Sequence, residues 1–202
     1  MKQRQLEIIL EQVERFDSPS AALEQYSTPA TIAARLLHFA YLKGDIQDRY
    51  VVDLGCGTGV LAIGSALLGG ITTGVDSDQR ALDIARVNAK RLGVLVTWVN
   101  SPIRDFQGTY DTVVMNPPFG AQKRHSDRPF LMKAISVGRI IYMLHSAVVN
   151  DFVRHFIEPN RVTNAIKVKL PIAHTFKFHK SEIRYVDATI YRVEVVAHLA
   201  DT

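Results

Sequence analysis

The chain has 202 residues, 47% of them hydrophobic and 22% charged, the balance of one soluble globular domain with a full core, while a formal net charge of +4 leans only mildly toward a polyanionic partner. Its one cysteine, Cys56, excludes an intramolecular disulfide and a cysteine-based zinc site, and it fits a reducing cytoplasmic setting. No apolar h-region opens the chain and no run approaches the roughly 18 uninterrupted apolar residues that span a bilayer, so neither secretion nor membrane insertion is expected.

Leu6, Ile9, Leu10 and Val13 recur at helical spacing among polar residues, predicting an amphipathic helix over residues 1–15 that Asp17-Ser18-Pro19 ends. A second helix is predicted over Pro29–Leu42, with Gly44 beyond its end and Ile32, Leu36, Leu37 and Phe39 buried. From Tyr50 short apolar runs alternate with helical stretches. Strand Tyr50–Leu54, helix Val60–Leu68, strand Ile71–Val75, helix Gln79–Leu92 and strands Val94–Val99 and Thr112–Met115 follow in turn, the pattern of a parallel, doubly wound α/β sheet. Arg139–Leu144 reads as a strand, Ala147–Phe156 as a helix, and Arg161–Leu170 with Ile183–Val196 as an antiparallel pair. No repeat or linker divides the chain. One domain is expected over residues 1–202, with a helical segment at 1–44 ahead of a core at 45–202.

Asp53-Leu54-Gly55-Cys56-Gly57-Thr58-Gly59 follows the first strand and opens a helix, where glycines let backbone approach a ligand closely. The glycine spacing is not the dinucleotide fingerprint, and the leading Asp53 would repel a phosphate and favour an amine. Cys56 within this turn reads first as a structural thiol. Asp76 ends the second strand, where doubly wound folds set an acid against ribose hydroxyls; Asp78 reads either as a second ligand residue or, more simply, as the N-cap of helix 79–92. Ribose hydroxyls and an amine without a phosphate describe S-adenosylmethionine. At the end of the strand Thr112–Met115 stands Asn116-Pro117-Pro118-Phe119: an amide with one acceptor and two donors, prolines that fix the turn, and a flat ring for stacking. That set suits a planar amino nitrogen, although Asn-Pro and Pro-Pro are also ordinary turn signals.

On these three motifs the chain resembles the class I S-adenosylmethionine-dependent methyltransferases, which implies a Rossmann-like, doubly wound, mixed seven-stranded sheet, here with an N-terminal helical cap. Leu23-Glu24-Gln25-Tyr26, Met115–Gly120 and Phe176–Lys180 make it similar, over residues 20–195, to the small methyltransferase-like-five group of structural-RNA adenine-N6 methyltransferases. The resemblance implies cofactor contacts at Gln25, Tyr26, Thr28, Asp53, Gly55, Cys56, Gly57, Gly59, Leu61, Asp76, Ser77, Ser101 and Asn116, and acceptor binding at Asn116, Pro117, Pro118 and Phe119. Tyr26 is read equally as part of a cofactor lid or as packing for the helical cap. One departure stands out. Where the family carries an acid for the cofactor's adenine this chain has Pro102, so Ser101, Asp105 or a backbone amide must take that role.

RNA contact is expected from the polar loop 122–128, at Lys123, Arg124, His125 and Arg128, and from Phe176, Lys177, Phe178, His179 and Lys180, which interleave rings with cations. A solvated loop and a buried phenylalanine pair are the plainer alternatives. The target adenine would be flipped or unpaired, since a base in a duplex cannot reach Phe119. The histidines share no ligand-like spacing, so no metal site is expected. Val94–Val99, apolar on both faces and at a sheet edge, is the place for a small zinc-binding activator protein of the kind the related eukaryotic enzyme uses; coverage by the chain's own helices is the alternative. Small-subunit rRNA is the substrate the resemblance implies. A release-factor glutamine methyltransferase shares the Asn-Pro-Pro-Phe pattern, but the segment before Val51 is short for its helical domain. A DNA adenine methyltransferase lacks room for a target-recognition domain, and a noncatalytic RNA-binding or ribosome-assembly protein on the same fold stays open because of Pro102.

Overall fold

A mixed, mostly parallel sheet covered by helices on both faces organises the chain. The computed structural model describes residues 1–16, 27–119, 125–146, 150–173 and 183–196. Helices α1 (Gln3–Leu10) and α2 (Ala30–Leu42) precede β1 (Tyr50–Leu54), α3 (Val60–Leu67), β2 (Ile71–Asp76), α4 (Gln79–Arg91), β3 (Thr97–Asn100) and β4 (Tyr110–Met115). There follow α5 (Arg128–Val137), β5 (Gly138–Ser146), α6 (Asn150–Phe156), β6 (Arg161–Ala173) and β7 (Ile183–Glu194). The seven strands are ordered β3-β2-β1-β4-β5-β7-β6. β1 to β5 pair in parallel, and β7 enters antiparallel between β5 and β6. The expected mixed, doubly wound sheet is present. Its order reverses between β1 and β4, where open α/β sheets place their ligands.

The pleat divides the core. Val51 and Val114 face a cluster formed with α1, α2 and α3, while Val52, Leu54, Val113 and Met115 face a second cluster with α5 and the residues around α6. α2 brings Leu36 and Leu37 to full burial against α1 and α3, each contributing about 2 kcal/mol of apolar transfer free energy. A polar clasp ties this helical layer to the sheet: Tyr142 Oη (2.5 Å) and Arg192 Nε (2.9 Å) donate to the Asp45 carboxylate, and Thr112 Oγ1 donates to the Asp45 carbonyl.

The structure departs from the sequence reading in several places. The first helix stops at Leu10, not near residue 15, because Asn88 of α4 takes the backbone of Glu14 into hydrogen bonds, accepting from its N–H (3.0 Å) and donating to its carbonyl (3.1 Å). Phe39, expected in the core, is only partly buried at its rim. β3 begins at Thr97 instead of Val94, since Val94 N–H closes α4 on the Ala89 carbonyl while Gly93, at φ +67°, bonds Lys90, a Schellman ending. α5 went unread although Leu131, Ala134 and Val137 are its buried stripe; Arg128 therefore opens a helix and does not belong to a loop. Among the described residues no helix is long and apolar enough to cross a membrane.

Candidate active site

The turn between β1 and α3 is shaped by Gly55, Gly57 and Gly59 at φ +74°, +52° and +92°, a region closed to most side chains. At Gly59 close approach adds to the demand, because a Cβ there would meet the Trp98 ring at 2.8 Å. The turn hangs from β2 by Gly55 and Cys56 N–H, both donating to the Val75 carbonyl at 2.9 Å. It forms one wall of an open cleft lined by Phe16, Ser27, Thr28, Asp53, Gly55, Cys56, Gly57, Thr58, Val60, Leu61 and Asn116.

Asp53 lies at the floor, 1% exposed. Its Oδ2 accepts from Ala62 N–H at 2.9 Å, whereas Oδ1 is buried with no partner. Burial pushes its pKa up to about 8, against the Ala62 hydrogen bond and with help from the negative charge of Asp76. An ammonium group beside Oδ1 favours the ionised form, whose lone pairs then accept from it, so such a group fits this acid where a phosphate would not. Asp76 closes β2, its Oδ2 accepting from Gly57 N–H (2.8 Å) and Oδ1 from Asp78 N–H (2.9 Å). Burial raises its pKa too, opposed by those two backbone donors. The Ser77 backbone adds a third hydrogen bond, and the carboxylate keeps room for a further hydroxyl donor. Asp78 is the N-cap of α4, accepting from Arg80 N–H at 3.0 Å.

Across the cleft, Asn116 donates from Nδ2 to Thr28 Oγ1 (3.0 Å) and leaves Oδ1 buried and unpartnered. Pro117 is buried, Pro118 and Phe119 are half-buried, and Phe119 stacks on His145 with centroids 5.6 Å apart. Thus Thr28, Asp53, Gly55, Cys56, Gly57, Leu61 and Asn116 share one cleft. Gly59 shapes its turn, and Asp76 joins it through Gly57. Ser101 stands beside Asp76, its N–H donating to the Asp76 carbonyl (3.0 Å) and its hydroxyl to the Pro102 carbonyl (3.1 Å); neither it nor Ser77 lines the cleft. Cys56 is buried, and desolvation pushes its thiol well above the usual range, in keeping with a structural thiol. His125 is exposed, and the Arg128 guanidinium lies 5.8 Å from the Phe156 ring centroid. Gln25, Tyr26, Lys123, Arg124, Phe176, Lys177, Phe178, His179 and Lys180 lie outside the described residues. The sequence reading missed Phe16 and Ser27 in the lining, and it passed over the buried pair His145–Asp127. Among the described residues no cluster of His, Cys, Asp or Glu is placed to hold a metal.

An acid-floored cleft at the point where strand order reverses, served by a glycine turn whose leading acid disfavours a phosphate, is the arrangement of a class I S-adenosylmethionine-dependent methyltransferase, and the antiparallel β7 beside β5 completes the sheet of that class. A family model agrees. The chain belongs to the methyltransferase small domain family, whose model matches residues 31–136. It is 37% identical to the uncharacterized protein MJ0284 of Methanocaldococcus jannaschii, an alignment covering 96% of this chain and 94% of that one. It is 36% identical to the rRNA N(6)-adenosine-methyltransferase METTL5 of Danio rerio, over 90% of this chain and 93% of the relative. Among solved structures, PH1948 of Pyrococcus horikoshii, named as an RNA methyltransferase candidate, superposes with a TM-score of 0.87 at 36% identity, covering 97% of this chain and 98% of its own.

Proposed function

We propose that this enzyme transfers a methyl group from S-adenosylmethionine to the exocyclic N6 of an unpaired or flipped adenine in structural RNA, with small-subunit rRNA as the substrate. The observation that carries the reading is the Asn116 amide oxygen, buried, unpartnered and opposite the acid-floored cleft. The similarity to the zebrafish rRNA adenosine methyltransferase supports the choice of base and of RNA.

Asp53 Oδ1 would accept from the cofactor's ammonium, Asp76 from its ribose hydroxyls, and the Gly55–Gly59 turn would press backbone against it. When bound, the cofactor supplies an electrophilic methyl on a sulfonium. An adenine amine is a poor nucleophile because its lone pair is delocalised into the ring. Asn116 Oδ1 and the Pro117 carbonyl would accept its two N–H hydrogens, drawing the nitrogen toward tetrahedral geometry and aiming the lone pair. No strong base is needed, since these protons become acidic as nitrogen takes up positive charge. Alignment and fitted electrostatics supply most of the rate. Phe119 would stack on the base, an interaction of ~1–3 kcal/mol in single-strand recognition.

Residues 1–202 would act as one methyltransferase domain. Gln25 and Tyr26 would extend the cofactor site from the segment ahead of Thr28, and Lys123, Arg124, His125, Arg128 and Phe176–Lys180 would carry the RNA. The exposed edge at β3, next to Leu95 at 94% exposure, supports a small zinc-binding activator protein binding along Val94–Val99. The lone cysteine fits a cytoplasmic setting. Incubation with labelled S-adenosylmethionine and, separately, rRNA, tRNA, DNA and release factor tests the reading. Label in rRNA adenine is expected. Label confined to release factor would overturn the RNA assignment, and cofactor binding without transfer to any of the four would favour a noncatalytic protein.

A further inference from the structure

The buried polar pair His145–Asp127 has no part in the chemistry above. His145, near the end of β5, is 1% exposed, and its Nε2 lies 3.1 Å from Oδ2 of Asp127, itself 5% exposed. Asp127 is the N-cap of α5, a position where aspartate ordinarily bonds the first free N–H groups of the helix. Here its side chain makes no capping bond, and its carboxylate turns to the imidazole. Forgoing a cap costs about 1 kcal/mol, and burying a carboxylate and an imidazole costs more, so the arrangement calls for a use beyond packing.

The ring itself points to that use. Phe119 stacks on the imidazole with an interplanar angle of 22°, and Phe119 belongs to the run whose Asn116 faces the cleft. Desolvation lowers the His145 pKa against the pull of the Asp127 hydrogen bond and charge. The Ser146 backbone, which also hydrogen-bonds the ring, adds to that pull, and burial outweighs both. The hydrogen bond between Nε2 and Asp127 fixes the plane of the ring. β4 and β5 run in register with Met115 beside Met143, so the β5 residue two beyond Met143 lies alongside the start of the Pro-Pro turn.

We propose that His145 and Asp127 are positioning residues for the acceptor: Asp127 orients the imidazole, and the imidazole backs the Phe119 ring so that it meets the acceptor base in one fixed plane. Neither side chain touches a reacting atom. The proposal rests on the adenine reading above, because only a flat acceptor makes use of a fixed plate.

The test compares two replacements that both fill the space. His145→Phe keeps a flat ring behind Phe119, whereas His145→Leu keeps bulk without a plane. With labelled S-adenosylmethionine and rRNA, His145→Leu is expected to lower kcat/KM by about tenfold, the scale of one lost aromatic–base contact, while His145→Phe stays within about threefold of the parent. Asp127→Asn, whose amide oxygen still accepts from Nε2–H, should behave like the parent, and Asp127→Leu, which keeps the ring without the bond that orients it, should fall between the parent and His145→Leu. S-adenosylhomocysteine affinity and Tm, measured on each variant, should separate the leucine and phenylalanine proteins far less than kcat/KM does. Equal activity in the leucine and phenylalanine variants overturns the proposal, as does a fall in cofactor affinity that matches the fall in rate. If the parent labels no RNA, the adenine reading fails and takes this one with it; if the parent labels RNA and His145→Leu does so equally well, only the positioning role falls.

Discussion

Replacing Asp53 by Asn should make the ligand-free protein more stable at alkaline pH while weakening its grip on the cofactor. The folded protein raises this carboxyl from an ordinary 3.8 to about 8, chiefly through burial. Folding therefore disfavours the charged form. The penalty is absent below the ordinary value, grows as pH rises through the window between 3.8 and about 8, and is complete above it. At about 1.4 kcal/mol for each tenfold change in proton affinity, the wild type should lose on the order of 4 kcal/mol relative to Asp53→Asn between about pH 5 and pH 8.5. Asn keeps the acceptor for Ala62 N–H and has no charge to bury. Urea denaturation of both proteins at the two pH values measures the difference of differences, which removes contributions common to both, such as that of Asp76. Saturating S-adenosylmethionine should stabilise the wild type far more than the variant at the higher pH, because an ammonium beside Oδ1 favours the ionised acid. A pH dependence that is the same in the two proteins would refute the reasoning, since Oδ1 would then have found a partner, such as water, without any ligand.

Asn116→Ala should abolish methyl transfer while leaving cofactor affinity nearly unchanged by calorimetry; equal loss of both would make Asn116 a scaffold residue. Thr28→Val removes the acceptor for Asn116 Nδ2 and should lower kcat about tenfold through loss of amide alignment, whereas Thr28→Ser should stay near the parent rate; equal rates in the two would remove the anchoring role. Arg192→Met strands the Asp45 carboxylate beside Tyr142 and should cost about 3 kcal/mol in chemical denaturation, with the cofactor dissociation constant of the folded protein unchanged.

The fold was legible because its periodicities are strong. Alternation of short apolar runs with helices from Tyr50 onward is the imprint of a sheet buried on both faces, and the β1 run Val51-Val52-Asp53-Leu54 is buried throughout. What escaped was set by contacts distant in sequence. α1 ends where Asn88, 74 residues away, takes hold of Glu14. α5 hid behind a run of polar residues that read as a loop, although Leu131, Ala134 and Val137 carry a helical period. The pair His145–Asp127 had no local signal, for 18 residues separate its members and only the parallel course of β4 and β5 brings Phe119 to the same place. Phe16 reaches the cleft by the same route as Glu14, through the departure of the chain from α1.

Two of the three legible motifs, Asp53–Gly59 and Asn116–Phe119, become one site for a reason of register. In the parallel pair of β1 and β4, Asp53 lies beside Val114. Side chains two apart on a strand share a face, so Asn116, two residues past Val114, leaves the sheet on the face Asp53 occupies and one pleat nearer its carboxyl end. The reversal of strand order at this pair sends α3 away on one side of β1 and leaves the gap above the two ends open. One unpartnered oxygen comes from each strand: a carboxylate suited to a cation and an amide suited to an amine. A one-residue slip between β1 and β4 would leave both motifs intact in the sequence and turn Asn116 to the opposite face of the sheet, away from the cleft. The chemistry therefore depends on the apolar pattern of Tyr110–Met115, which fixes that register, as much as on the four residues that follow it.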